Sequence, residues 1–87
     1  DATTFYNRAI TKEHLKNITG AIEDYTKAIQ FNGNDADFYR YRGFAKEKVG
    51  DIEGAIADLK QALSLLPGNS DLIQQIAKLE NDLKTDK

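Results

Sequence analysis

Of the two side chains that most readily do acid–base or nucleophilic chemistry near neutral pH, the sequence holds a single histidine, His14, and no cysteine. Acid–base and nucleophilic mechanisms need such a group held against a second polar partner, and a zinc-type site needs three or four donors together. His14 has only Glu13 beside it, the arrangement of an exposed helix end. The carboxylate pairs Glu23-Asp24 and Asp35/Asp37 fall at helix starts and turns, where acidic groups cap free amides or complement the helix dipole. No glycine-rich run follows a strand to cradle a phosphate. The chain reads as a non-enzyme without metal or cofactor, which leaves recognition by surface shape and charge.

The elements that must present such a surface are set by a repeat. Residues 2–35 laid over residues 36–69 agree at ten of thirty-four positions, among them Arg8/Arg42, Glu13/Glu47, Gly20/Gly54, Asp24/Asp58 and Ala28/Ala62. A fixed period of that size marks a stacked helical array, in which each unit buries an apolar face on the next. Apolar residues at helical spacing predict five helices, over 2–15, 18–31, 36–49, 52–66 and from 70 onward. Phe5, Ala9 and Leu15 face the core from the first, and Ile18, Ala21, Ile22, Tyr25, Ala28 and Ile29 from the second. Leu72, Ile73, Ile76, Leu79 and Leu83 share one stripe of the last. Asn17 is an N-cap, Gly50-Asp51 ends the third helix and caps the fourth, and Pro67-Gly68-Asn69-Ser70 closes the second unit. Asn32-Gly33-Asn34-Asp35 is a linker of residues that tolerate left-handed backbone. The fold class is all-α, an α-solenoid of stacked antiparallel helix hairpins. One domain covers 1–87, with units 2–35 and 36–69 and a capping helix over 70–86.

A chain of 87 residues with 40% apolar and 30% charged side chains builds one small core without disulfide support, so its stability comes from helix packing or added partners. A net charge of −2 gives no pull toward phosphate backbones or anionic membranes. No apolar run approaches the roughly 20 residues that span a bilayer, and no signal-peptide pattern opens the chain. The compartment is not written in the sequence, with the cytoplasm as the default. The absence of methionine and the start at Asp1 read as a fragment or a processed product.

The pattern resembles the tetratricopeptide repeat, whose small residues at repeat positions 8, 20 and 27 let two antiparallel helices approach closely. Ala9, Ala21 and Ala28 hold those places in the first unit, and Gly43, Ala55 and Ala62 in the second, with Gly50-Asp51 at the turn and Pro67 at the closing position. The resemblance implies a right-handed superhelix of two repeats plus a solvating helix. The chain departs from the family at Arg8 and Arg42, where leucine is usual, at Lys12 and Lys46, where tyrosine is usual, and at Gly33, where proline is usual. Asp24 and Asp58 recur with the arginines, so each arginine is expected either to cross to the aspartate of the adjoining helix or to lie solvated on its own face. Arg42 is within reach of either aspartate.

The resemblance also implies where a partner would sit, on the concave face lined by the first helix of each repeat. Tyr6, Ile10, Tyr41 and Phe44 then form an apolar and aromatic strip with Asn7, Arg40 and Lys48 as polar neighbours. Two readings stand. Either the strip is a groove that binds a peptide or protein segment, or the rings fold back between neighbouring first helices as an extension of the core. The family's carboxylate clamp for acidic chaperone tails is matched only at Asn7, while Asp37 and Tyr41 stand where cations are needed, so no tight binding of such tails is expected. A related class of 35-residue repeats reads single-stranded RNA; the acidic balance and the 34-residue period disfavour that reading. The chain is therefore expected to be a protein-binding module with no nucleic-acid or membrane partner. The alternative is a self-associating scaffold or a piece of a longer array, whose edge around Phe5, Tyr6 and Ile10 docks on a second copy as a homodimer.

Overall fold

The computed structural model describes residues 1–85. Its described residues form five helices and no strand: α1 (Ala2–His14), α2 (Ile18–Phe31), α3 (Ala36–Lys48), α4 (Ile52–Leu65) and α5 (Ser70–Thr85). Residue 86, the last of the expected capping helix, lies outside the described residues. Helix α1 pairs with α2 and α3 with α4; α3 then packs on α2 and α5 on α4. The result is a slab of 38 × 28 × 17 Å, an all-α helical solenoid.

Each helix starts where a short polar side chain supplies an acceptor for a free amide. Asn17 Oδ1 accepts from the Gly20 amide and Asp51 Oδ1 from the Gly54 amide, both at 3.0 Å. Asp35 Oδ1 accepts from the Asp37 amide at 2.9 Å and Asn69 Oδ1 from the Leu72 amide at 3.0 Å. The linker over 32–35 does not use left-handed backbone: no residue there has positive φ, and Asn32 Oδ1 instead closes it by accepting from the Asn34 amide. Only the second linker takes that route, at Gly68 with φ +85°.

The α1–α2 and α3–α4 turns share one geometry with different residues. Gly50 has φ +87°, and its repeat mate Lys16 has φ +67°. A side chain in that region costs about 1–2 kcal/mol, only partly offset by the backbone entropy that glycine loses on folding. Lys16→Gly is therefore expected to stabilise the fold by about 1 kcal/mol and to raise the melting temperature by roughly 5 °C. A thermal scan showing no rise would mean that the turn holds Lys16 without strain.

Small residues bring the hairpin helices together. Ala9, Ala21, Ala28, Ala55 and Ala62 have no exposed surface, and Tyr25 and Leu59 fill the space beside them. Two expected core residues lie elsewhere. Leu15 is the C-cap of α1 and is 74% exposed, because the helix ends at His14 and the next side chain falls past its inner face. Ile73 is 47% exposed. The buried row of α5 is Leu72, Ile76 and Leu79, with Leu83 partly buried, and Ile73 stands about 100° round the helix from Leu72.

Both arginines cross to the aspartate of their own hairpin. Arg8 grips Asp24 through Nε and Nη2, each at 2.8 Å, and Arg42 grips Asp58 at 2.8 and 2.7 Å. The lysines at the unusual positions complete the set, Lys12 on Asp24 at 3.0 Å and Lys46 on Asp58 at 3.1 Å. A buried carboxylate is tolerated only when its lone pairs are taken up, and here two cations on one helix face share that task. The Arg8 guanidinium holds the Asp24 carboxyl down at about 2 against its burial, with Lys12 assisting. Because the folded-state value is depressed, this stabilisation is complete above the ordinary carboxylate value and is lost as pH falls toward 2. The shift corresponds to at most about 2 kcal/mol, and solvent around the half-exposed Arg8 reduces it to about 1. Urea midpoints are expected to fall between pH 5 and 2.5, and less steeply in Asp24→Asn; parallel profiles would dissociate the drop from Asp24.

Candidate functional site

Helices α1, α3 and α5 share one face, and two hollows open on it. The first, about 720 Å³, has Ile10, Tyr25, Tyr41 and Phe44 as its apolar lining, with Glu13, His14, Lys16, Glu47 and Lys48 around them. The second, about 490 Å³, is lined by Phe44 and Leu72 with Arg40, Asp71, Gln74, Gln75 and Lys78. Phe44 belongs to both and is the ridge between them.

The rings are ordered from below by the core. Tyr6 lies 5.1 Å from Phe38, 5.7 Å from Tyr41 and 6.1 Å from Tyr25, distances typical of favourable aromatic pairs. Tyr41 lies 6.4 Å from Tyr25 and 6.4 Å from Phe44, the latter edge-on. Tyr6, Ile10, Tyr41 and Phe44 are all half-buried, so each packs one side inward and leaves the other to solvent. Of the residues singled out from the sequence, Ile10, Tyr41, Phe44 and Lys48 line the first hollow, and Arg40 and Phe44 the second. Tyr6 and Asn7 line neither. Tyr6 is wedged among three rings, and Asn7 is exposed on α1, its carbonyl accepting from Thr11 Oγ1.

Hydrogen bonds fix the walls. The buried Tyr25 hydroxyl donates to Glu13 Oε2, and Lys48 Nζ donates to Glu13 Oε1 at 3.0 Å. One carboxylate thus ties α1 to α2 and α3. The repeat mate of Glu13 is Glu47, which accepts from Gln75 Nε2 at 3.2 Å and ties α3 to α5. Arg40 is held by Asp37 at 2.7 Å and lies 5.5 Å over the Tyr41 ring. Burial raises the Tyr25 phenol, with Glu13 adding to it, and lifts the Tyr6 phenol to about 12, so both remain neutral at physiological pH.

Sequence reasoning did not place Tyr25 or Lys16 in this face. Tyr25 belongs to a second helix and carried only a core signal; its reach through to α1 follows from the close approach that Ala9 and Ala21 permit. Lys16 sits in a turn, where periodicity is silent. Among the described residues, no group of three His, Cys, Asp or Glu side chains has metal-binding geometry, and no helix is long and apolar enough to cross a membrane.

A tetratricopeptide repeat family model matches residues 2–35. No curated protein matches the chain. Among solved structures it is similar to the first TPR of Spaghetti (RPAP3) bound to the HSP90 peptide SRMEEVD, at 26% identity and a TM-score of 0.89 over 97% of this chain and 67% of that one. The Arabidopsis OM64 TPR domain is 31% identical with a TM-score of 0.85, over 93% of this chain and 67% of that one. PcrH in complex with the chaperone binding region of PopD, at 21% identity and a TM-score of 0.80, covers 100% of this chain and 68% of that one and shares the fold alone.

Proposed function

Since this chain belongs to the tetratricopeptide repeat family, a protein–protein interaction fold, we propose that it binds an extended peptide segment on the concave face formed by α1, α3 and α5, and that it is not an enzyme. The module comprises repeats over 2–35 and 36–69 and the last helix. The observation that carries this reading is the first hollow, where Ile10, Tyr41 and Phe44 keep half-exposed apolar surface while their inner sides are fixed by the core. Rigid aromatic anchors of this kind lose little entropy on binding and dominate interface energetics. The neighbours solved with the HSP90 peptide SRMEEVD and, for human RPAP3, with the HSP70 peptide SGPTIEEVD support a short peptide as occupant. In this chain, Arg40 and Lys48 are already held by Asp37 and Glu13, which supports weak binding of acidic tails.

Peptides enriched from a random library on the wild type are expected to lose at least about 30-fold in affinity for the Tyr41→Ala, Phe44→Ala double variant, with helicity by circular dichroism retained. Ile10→Glu is a second variant that leaves both rings in place. Equal binding by all three proteins would remove the concave face from consideration. Light scattering over a dilution series tests the homodimer: a dimer that the double variant dissolves would make the strip a self-association surface, and the scaffold reading would replace the peptide reading.

A further inference from the structure

Charges on this face are paired unevenly. Lys48 is held by Glu13, Arg40 by Asp37, and Lys78 lies 3.8 Å from Asp82. Among the described residues, two lining carboxylates have no cation: Glu47, whose partner is the neutral Gln75 amide, and Asp71 at the start of α5. Glu47 lines the first hollow and Asp71 the second, and the half-buried Phe44 lines both, so each hollow beside the ridge holds a carboxylate without an ion-pair partner. A ring face attracts a cation, and a carboxylate beside it adds a second attraction with the same preference. The first hollow is also lined by His14 and the turn residue Lys16, and the second by Arg40 and Lys78, each beside an aspartate on its own helix.

Resting on the groove reading above, we propose that the bound segment carries a lysine or arginine that stands over Phe44 between Glu47 and Asp71, with an apolar neighbour in the hollow of Ile10 and Tyr41. Lys16, a cation lining the first hollow, favours an acidic residue of the same segment beside it. This chemistry is opposite in sign to that of an acidic tail.

The test uses two fluorescein-labelled peptides, Gly-Leu-Lys-Tyr-Lys-Leu-Gly and its counterpart with glutamate in place of both lysines, titrated into the whole chain at 50 mM and 500 mM salt. The lysine peptide is expected to bind about 10-fold tighter at low salt, with the gap narrowing at high salt and amide shifts at Tyr41, Phe44 and Glu47. Glu47→Gln keeps the side-chain size and a hydrogen-bond partner for Gln75, and is expected to cut the preference to about 2-fold. Tighter binding of the glutamate peptide within the same amide set would overturn the basic anchor and leave the groove reading intact. Neither peptide shifting those amides, while library-selected peptides do, would also overturn the basic anchor alone. If library-selected peptides fail there as well, both readings fall.

Discussion

Asp58→Ala is expected to destabilise the fold by about 3 kcal/mol, the cost typical of breaking a buried charge set by removing one partner. Asp58 is 4% exposed and holds Arg42 through two bonds and Lys46 through a third. Without it, two side chains that are only 17% and 22% exposed keep their charge and lose their acceptor. Arg42 also donates to Thr26 Oγ1 at 3.2 Å, so the change loosens the contact between the hairpins as well as the second hairpin itself. The equivalent Asp24→Ala is expected to cost less, about 1–2 kcal/mol, since Arg8 is 51% exposed. Thermal unfolding reads the contrast as a drop of roughly 15 °C for Asp58→Ala against 5–10 °C for Asp24→Ala. Equal drops would show that burial of the cation does not set the cost. Arg42→Leu restores the apolar residue usual in the family and removes one cation while Lys46 remains on Asp58. It is expected to leave peptide affinity unchanged, because Arg42 lines neither hollow.

These ion sets show how far the sequence carries. Arg8/Asp24 and Arg42/Asp58 stood out as candidate pairs because the same two residue types recur at the same spacing in both units, but the sequence left open whether they pair or lie solvated and which aspartate Arg42 meets. Lys12 and Lys46 recur too, four residues after each arginine, but sequence cannot tell that the aspartate is buried with a lone pair still to be taken up. Leu15 and Ile73 are the reverse case. Hydrophobicity marked them as core, yet one falls past a helix end and the other a quarter-turn off the buried row, and both offsets depend on where a helix stops and how it is rotated. The rings of the face shared by α1 and α3 were visible as a strip. Their division was not: Tyr6 is closed in by Phe38, Tyr25 and Tyr41, whereas Phe44 stands as a ridge, and the difference arises from packing between repeats that no single repeat contains.

Gly43→Leu is the second large effect, expected to cost about 3 kcal/mol through overpacking. Gly43 lies where α3 crosses α4, and a Cβ there would sit 3.2 Å from the Ala55 carbonyl oxygen and 3.2 Å from Leu59 Cγ and Cδ2. The first contact is with backbone, which cannot turn aside, and Leu59 is fully buried, so further carbons force the helices apart. Alanine at the same place is a different case. Its Cβ needs a few tenths of an ångström from its neighbours, while the helix gains about 1 kcal/mol in propensity, and Ala9 already occupies the matching site in the first repeat, opposite Ala21. Gly43→Ala is therefore expected to fall within about 1 kcal/mol of wild type, and Gly43→Leu to lower the urea midpoint by roughly 2 M at an m-value near 1.5 kcal/mol/M. Because α3 carries Tyr41, Phe44 and Glu47 and is located by this crossing, the leucine variant is also expected to weaken peptide binding without touching any lining residue. A leucine variant as stable as wild type would mean that the crossing relaxes freely, and the close approach would then no longer explain why both repeats keep a residue no larger than alanine there.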